Sequence, residues 1–149
     1  MEKRKLRVLE GIGKNMNRHK IDWYLMGSAG LFLRRVPGIS DVNDLDLLVS
    51  QDNYENIKNL FGNYLVNEGI SGLGKKLLLN VDGVSVEICA EDLKGIYAES
   101  TPGELYSTVD VNGVRVPLVP LQQEESFYRM FGRNEKAELI KEFREEQRG

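Results

Sequence analysis

Residues 44–49 read Asp-Leu-Asp-Leu-Leu-Val, an apolar run with carboxylates at alternate positions. In an extended strand, side chains two apart share a face and lie roughly 6.5–7 Å from each other along the chain. Asp44 and Asp46 therefore leave one side, while Leu45 and Leu47 turn into a core. Two like charges held side by side repel each other. The arrangement makes sense where a divalent cation sits between them, so this strand needs a sheet with an apolar face and a second face that carries chemistry.

The rest of the chain supplies such a sheet. Residues 3–18 place Leu6, Leu9, Ile12, Gly13 and Met16 at spacings of three and four, which predicts an amphipathic helix. Asp22–Met26 is a short, mostly apolar run that stops at Gly27 and reads as a buried strand. Ser28 is then expected to cap a helix through Leu31, Phe32 and Leu33 that ends before Pro37-Gly38. Asp52 and Glu55 have capping-box spacing ahead of a helix with Tyr54, Ile57, Leu60 and Phe61 inside. Two strand pairs are predicted around Asp82-Gly83 and Asn112-Gly113, both strong two-residue hairpin signals. From Pro120 the pattern is helical, with Leu121, Phe127 and Phe131 inward, and Asn134 caps a last helix with Ala137, Ile140 and Phe143 inside. The expected fold is α/β (α+β): a mixed, twisted sheet with flanking helices and a C-terminal helical segment, in one domain over residues 1–149.

A third carboxylate joins the first two. Val84, Val86 and Ile88 alternate with Ser85 and Glu87, so Glu87 leaves opposite the apolar stripe. If its strand lies beside residues 44–49, three carboxylates converge, and an all-oxygen donor set suits Mg²⁺ or Mn²⁺ rather than zinc. Two such ions about 3.5–4 Å apart would clamp an in-line phosphoryl displacement. Asp41 offers another ligand position, although it precedes the apolar alternation. Gly27-Ser28 adds an anion site: the glycine allows a sharp turn and a close ligand, and the helix that follows aims free N–H groups at the same place.

Composition narrows the function. With 41% hydrophobic and 29% charged residues, the 149-residue chain reads as a soluble globular protein. Lys and Arg number 20 against 23 Asp and Glu, so the basic excess of a dedicated duplex-DNA binder is missing. Lys3, Arg4, Lys5 and Arg7 read as a solvated helix face. A lone Cys89 and a lone His19 leave no internal disulfide and no zinc cluster. Cys89 reads as a buried small hydrophobe, His19 as a helix-end residue near carbonyls, and Trp23 as core with its N–H satisfied. No apolar run approaches the roughly 20 residues of a membrane helix. The basic start has no apolar stretch after it, so neither a signal peptide nor a membrane is expected, and the expected compartment is the cytoplasm.

Gly-Ser, an Asp-x-Asp strand and a third carboxylate on a later strand resemble the nucleotidyltransferase superfamily named for DNA polymerase beta. The spacing between Gly-Ser and Asp-x-Asp is most similar to the lincosamide-type and AbiEii-toxin-type branch. The resemblance covers Met26 to Ile88 and continues weakly into Tyr128–Lys136. It implies transfer of a nucleoside monophosphate from an NTP, ATP foremost, to a hydroxyl acceptor, with release of pyrophosphate. Asp44 and Asp46 would be metal ligands, Glu87 the third carboxylate and base, and Gly27 and Ser28 holders of the triphosphate, with Arg133 and Lys136 as further phosphate partners. The acceptor, whether small molecule, protein or RNA, is left open. Residues 90–149 would wall its cleft, or a second subunit in a homodimer would complete it.

Rival readings keep the same fold as a catalytically degenerate nucleotide sensor or as half of a toxin–antitoxin pair. An RNA-directed enzyme would need a positive groove, for which Lys75, Lys76, Arg34 and Arg35 are the candidates. Gly69–Lys76 nearly spells a P-loop, but Lys76 stands where Ser or Thr would meet Mg²⁺. That stretch reads as a flexible surface loop whose Lys75 or Lys76 could swing over a triphosphate.

Overall fold

A computed structural model of the chain describes residues 1–40, 42–71, 74–93 and 107–148. The described residues form seven strands: β1 (Trp23–Met26), β2 (Leu45–Ser50), β3 (Leu65–Ser71), β4 (Gly74–Val81), β5 (Val84–Glu91), β6 (Ser107–Val111) and β7 (Val114–Leu118). They form one sheet in the order β3-β4-β5-β2-β1-β7-β6. The α-helices are α1 (Lys3–Arg18), α2 (Gly27–Leu33), α3 (Tyr54–Leu60), α4 (Leu121–Met130) and α5 (Asn134–Arg148). The sheet is mixed: β2 runs antiparallel to β1 but parallel to β5, and β1 runs parallel to β7. This is the α/β architecture expected from the sequence, with β2 near its middle.

Alternation along β2 divides the molecule. Leu45, Leu47 and Val49 are fully buried on one face, against Val8, Leu9, Ile12 and Met16 of α1 and Ile57 of α3. On the other face Leu48 and Cys89 pack with Met26, Val119 and Phe127. A third cluster, Leu31, Val36, Tyr128, Ala137 and Ile140, ties α2 to α4 and α5. Trp23 is buried with its indole N–H donating to Asn17 Oδ1 at 2.9 Å, and His19 Nδ1 lies 2.8 Å from the Asn15 carbonyl.

Both hairpin signals form as expected. Asp82 and Gly83 have φ of 52° and 84°, and Asn112 and Gly113 have 51° and 87°. Two successive left-handed residues match the twist of the strands they join. The side chains of Asn80 and Asp110 accept from Gly83 N and Gly113 N at 3.0 and 2.8 Å, which closes each turn.

Four local expectations are corrected. The stretch 69–76, read as a flexible loop, belongs to β3 and β4, with residues 72 and 73 between them outside the described set. As an edge strand β3 needs no strict apolar alternation, and it leaves Val66 and Ile70 exposed. Asp52 does not cap α3; Ser50 Oγ accepts from Asp52 N and opens a 3₁₀ turn, Gln51–Asn53, ahead of the helix. Ser28 lies inside the first turn of α2, because Met26 occupies the cap position and the chain turns at Gly27. Asn134 is the first residue of α5 rather than its cap.

Gly13 sets how closely α1 approaches the sheet. A Cβ there would lie 2.9 Å from Val114 Cγ1 and 3.1 Å from the Trp23 ring, whereas a Cβ at Gly11 would meet nothing within 4 Å. The two glycines should therefore respond oppositely to alanine. Gly11→Ala is expected to stabilise the protein by about 0.5–1 kcal/mol through helix propensity. Gly13→Ala is expected to cost about 1–3 kcal/mol through overpacking. Urea unfolding of the two variants checks this, and equal shifts of the same sign would overturn it.

Candidate functional site

The site lies on the face of the sheet opposite α1. Asp46 sits in register with Met26 of β1 on one side and Glu87 of β5 on the other. A parallel pairing in that register gives both carboxylates the same face and makes them neighbours, as the alternation predicts. Asp44 immediately precedes β2 and adds its charge to the surroundings of Asp46. Asp46 is driven up to about 7 by burial first, then by the charges of Glu87 and Asp44 and by a hydrogen bond with Glu87. Lys136 offsets part of the rise. Burial and acidic neighbours thus favour the neutral form of Asp46.

Gly27 is the hinge against this pair. Its φ is +72°, and a Cβ there would stand 2.8 Å from Asp46 Oδ2, so conformation and space both exclude a side chain. Its N–H, which the sequence offers to a phosphate, donates instead to Glu124 Oε1 of α4 at 2.9 Å. With only 3% of its surface exposed, Glu124 is pushed up to about 8 by burial, against the pull of the Gly27 N–H and of Arg34.

Ser28 is met from the C-terminal helices. Lys136 Nζ of α5 donates to Ser28 Oγ at 3.1 Å, and the Tyr128 and Ser28 hydroxyls share a hydrogen bond. Arg133 and Lys136 both lie over the Tyr128 ring, 5.5 and 5.4 Å from its centre. Burial and the neighbouring Arg133 lower the Lys136 ammonium below the ordinary lysine range. Of the predicted residues, Ser28, Asp44, Asp46, Arg133 and Lys136 line one cavity of about 390 Å³, together with Asn43 and Ser40. A second cavity of about 360 Å³ is lined by Gly27, Asp46, Glu87, Glu124, Arg133, Met26, Cys89 and the aromatics Phe127, Tyr128 and Phe131. Asp46 and Arg133 belong to both.

Among the described residues no three carboxylate, histidine or cysteine side chains close around a common point at metal-ligand spacing. Asp41, the other candidate ligand, lies outside the described residues. Glu87 is held by Lys76 Nζ at 2.9 Å and by its bond with Asp46. The donor chemistry nonetheless suits a hard divalent cation: oxygen ligands alone, in a cluster whose excess negative charge is relieved by a bound proton. Of the candidate groove cations, Lys76 pairs with Glu87 at the site itself, whereas Lys75 lies over the Tyr54 ring and Arg34 donates to the Val119 carbonyl at 2.6 Å.

Sequence reasoning missed Glu124, Tyr128 as a partner of Ser28, and the Lys76–Glu87 pair. A signal for Glu124 exists: it follows Leu121 by three residues and precedes Phe127 and Tyr128 by three and four, so a charge sits on the apolar stripe of α4. Phe131, expected inside, is 51% exposed at the rim of the second cavity, because α4 ends at Met130.

The Asp46 environment carries a pH dependence. A carboxyl raised from 3.8 to about 7 on folding leaves stability intact below pH 4 and erodes it as pH rises from about 4 to about 7. Asp46→Asn should unfold several degrees higher than the wild type at pH 8, and the two should converge below pH 4. Thermal unfolding across that range is the check. A variant less stable than wild type at pH 8 would contradict the assignment.

Neither a protein-family model nor a curated protein matches the chain. Solved structures do. TM1012 of Thermotoga maritima, provisionally assigned as a nucleotidyltransferase, is 23% identical over 98% of this chain and 96% of its own, with a TM-score of 0.69. The antibiotic-resistance factor ANT(2'')-Ia is 11% identical over 94% of this chain and 84% of its own, with a TM-score of 0.66. The lincosamide adenylyltransferase LnuA is 11% identical over 95% of this chain and 96% of its own, with a TM-score of 0.60. The fold of this chain is that of the nucleotidyltransferases.

Proposed function

We propose that the chain is a metal-dependent nucleotidyltransferase that moves a nucleoside monophosphate from an NTP to a hydroxyl on a small-molecule acceptor. The observation that carries this is Asp46, which stands where a cavity of cations and hydroxyls meets a cavity that contains Glu87. The first suits a triphosphate: Arg133, Lys136 and Ser28 supply charge and hydrogen bonds in a mostly polar lining. The second, with its aromatic and apolar lining, suits the body of an organic acceptor. ATP is the first donor to test, since LnuA and ANT(2'')-Ia are adenylyl carriers by name.

In this reading Asp44 and Asp46, joined by Glu87, would hold a divalent cation, which would supply charge neutralisation for the triphosphate. The residues of the chain do the rest. Ser28, Arg133 and Lys136 keep the tail in place, so that the bond from the α-phosphorus to its bridging oxygen lies in line with the acceptor hydroxyl. The acceptor oxygen attacks the α-phosphorus, Glu87 accepts the hydroxyl proton, and the bridging oxygen leaves with pyrophosphate. Lys76 is paired with Glu87, so a cation or a proton taken up by that carboxylate competes with an internal counter-ion.

Thermal unfolding with ATP, GTP, CTP or UTP, each with Mg²⁺ or with EDTA, tests the proposal. A nucleotide at about 100 times its Kd should add about 2.7 kcal/mol, a shift of several degrees. The shift should require Mg²⁺, disappear in Asp44→Asn, and shrink in Lys136→Met. No shift with any nucleotide at millimolar concentration would overturn it. A shift equal in EDTA would overturn the metal assignment.

A further inference from the structure

The proposed phosphate cavity is built from two separate parts of the chain. Ser28 comes from the first turn of α2 and Asp44 from the residue that leads into β2, whereas Arg133 and Lys136 come from the turn before α5 and from α5 itself. Something must set the distance between these halves. Two polar bridges cross the gap at Ser28: its Oγ accepts from Lys136 Nζ, and its hydroxyl donates to the Tyr128 hydroxyl. A phosphate entering the cavity would compete for Ser28 and for Lys136, so neither bridge is suited to hold the halves once substrate is bound.

The third polar bridge is of another kind. Glu124 Oε1 accepts from Gly27 N at 2.9 Å, 97 residues apart in sequence. Glu124 does not line the cavity of Ser28 and Lys136; it lies behind it, buried, and borders the aromatic cavity instead. Gly27 is the residue whose turn brings the backbone against Asp46 Oδ2. The bond therefore joins α4 to the point where the backbone passes the central carboxylate, and a ligand taking Ser28, Arg133 or Lys136 leaves it intact.

We propose that Glu124 is a positioning residue: its acceptor oxygen, at full glutamate length, holds the Gly27 turn and thereby sets the spacing between the two halves of the phosphate cavity. This rests on the nucleotide-binding reading above. What matters is reach and an acceptor oxygen, not the charge, and two substitutions separate these. Glu124→Gln keeps the length and a carbonyl acceptor but removes the charge. Glu124→Asp keeps the carboxyl and withdraws it by one methylene.

The test measures ATP binding in the presence of Mg²⁺ by calorimetry, and hydrogen exchange at the Gly27 amide, on the full chain of wild type and both variants. Glu124→Gln should bind ATP within about twofold of wild type and keep the Gly27 amide protected. Glu124→Asp should bind about tenfold more weakly and exchange Gly27 at least about tenfold faster. The reverse order would make Glu124 an electrostatic residue and overturn the proposal. So would equal binding in all three proteins, or equal losses in both variants. Wild-type protein that binds no nucleotide overturns the preceding section instead. In that case Gly27 exchange alone decides: unchanged protection in Glu124→Asp refutes a positioning role, and lost protection there with protection retained in Glu124→Gln upholds it.

Discussion

The pairing of β2 with β5 places Asp46 directly beside Glu87, and most of the remaining architecture accommodates that neighbourhood. A parallel ladder offers no choice of face once register is set, so the leucines that bury the core also fix where the carboxylates stand. The cost of two acids side by side is met locally. A proton is retained on the Asp46 side, Lys76 reaches Glu87 from β4, and Lys136 approaches from α5. Gly27 leaves the backbone room to pass within van der Waals range of Asp46.

The C-terminal helices complete this face. Phe127 of α4 packs with Met26, Leu48 and Cys89, while Tyr128 turns to the cluster that includes Leu31 and Ile140. Two successive aromatics on one helix thereby hold both the sheet and α2. Glu124, one turn earlier, is carried inward with them and finds its partner in a backbone amide rather than in a salt bridge. A helix end that would otherwise present a free N–H to solvent is closed by a side chain from the far end of the chain.

What could be read from the sequence divides along physical lines. The faces of Asp46 and Glu87 were legible because alternation within a strand is local, whereas Asp44 stands one residue ahead of β2 and has no such guide. Asp82-Gly83 and Asn112-Gly113 were legible because a two-residue turn has few alternatives. The partners of Gly27 and Ser28 were not, since Glu124, Tyr128 and Lys136 lie about a hundred residues away and only the closed fold brings them near. Gly69–Lys76 misled because glycines suggest a loop, whereas this edge is held by backbone pairing that needs no side chain: Gly69 lies opposite Lys76 of β4 and Ile70 opposite Lys75. The cap lies two residues before Ser28 for a different reason: the left-handed Gly27 is already within the helix, which moves the cap back to Met26.

The acid pair has a consequence on an evolutionary timescale. Replacing Asp46 by a neutral residue relieves the sheet of a buried acid beside a second one, so lineages that no longer need the chemistry would gain stability by losing it. Acquiring the pair anew is the harder direction, because a second carboxylate must be accepted beside the first before any ligand rewards it. A fold arranged in this way is biased toward inert descendants that outlast their active ancestors. Within such a group of descendants, a retained Asp46 alongside Glu87 is therefore a sign of continued selection on the site, since folding alone favours its loss.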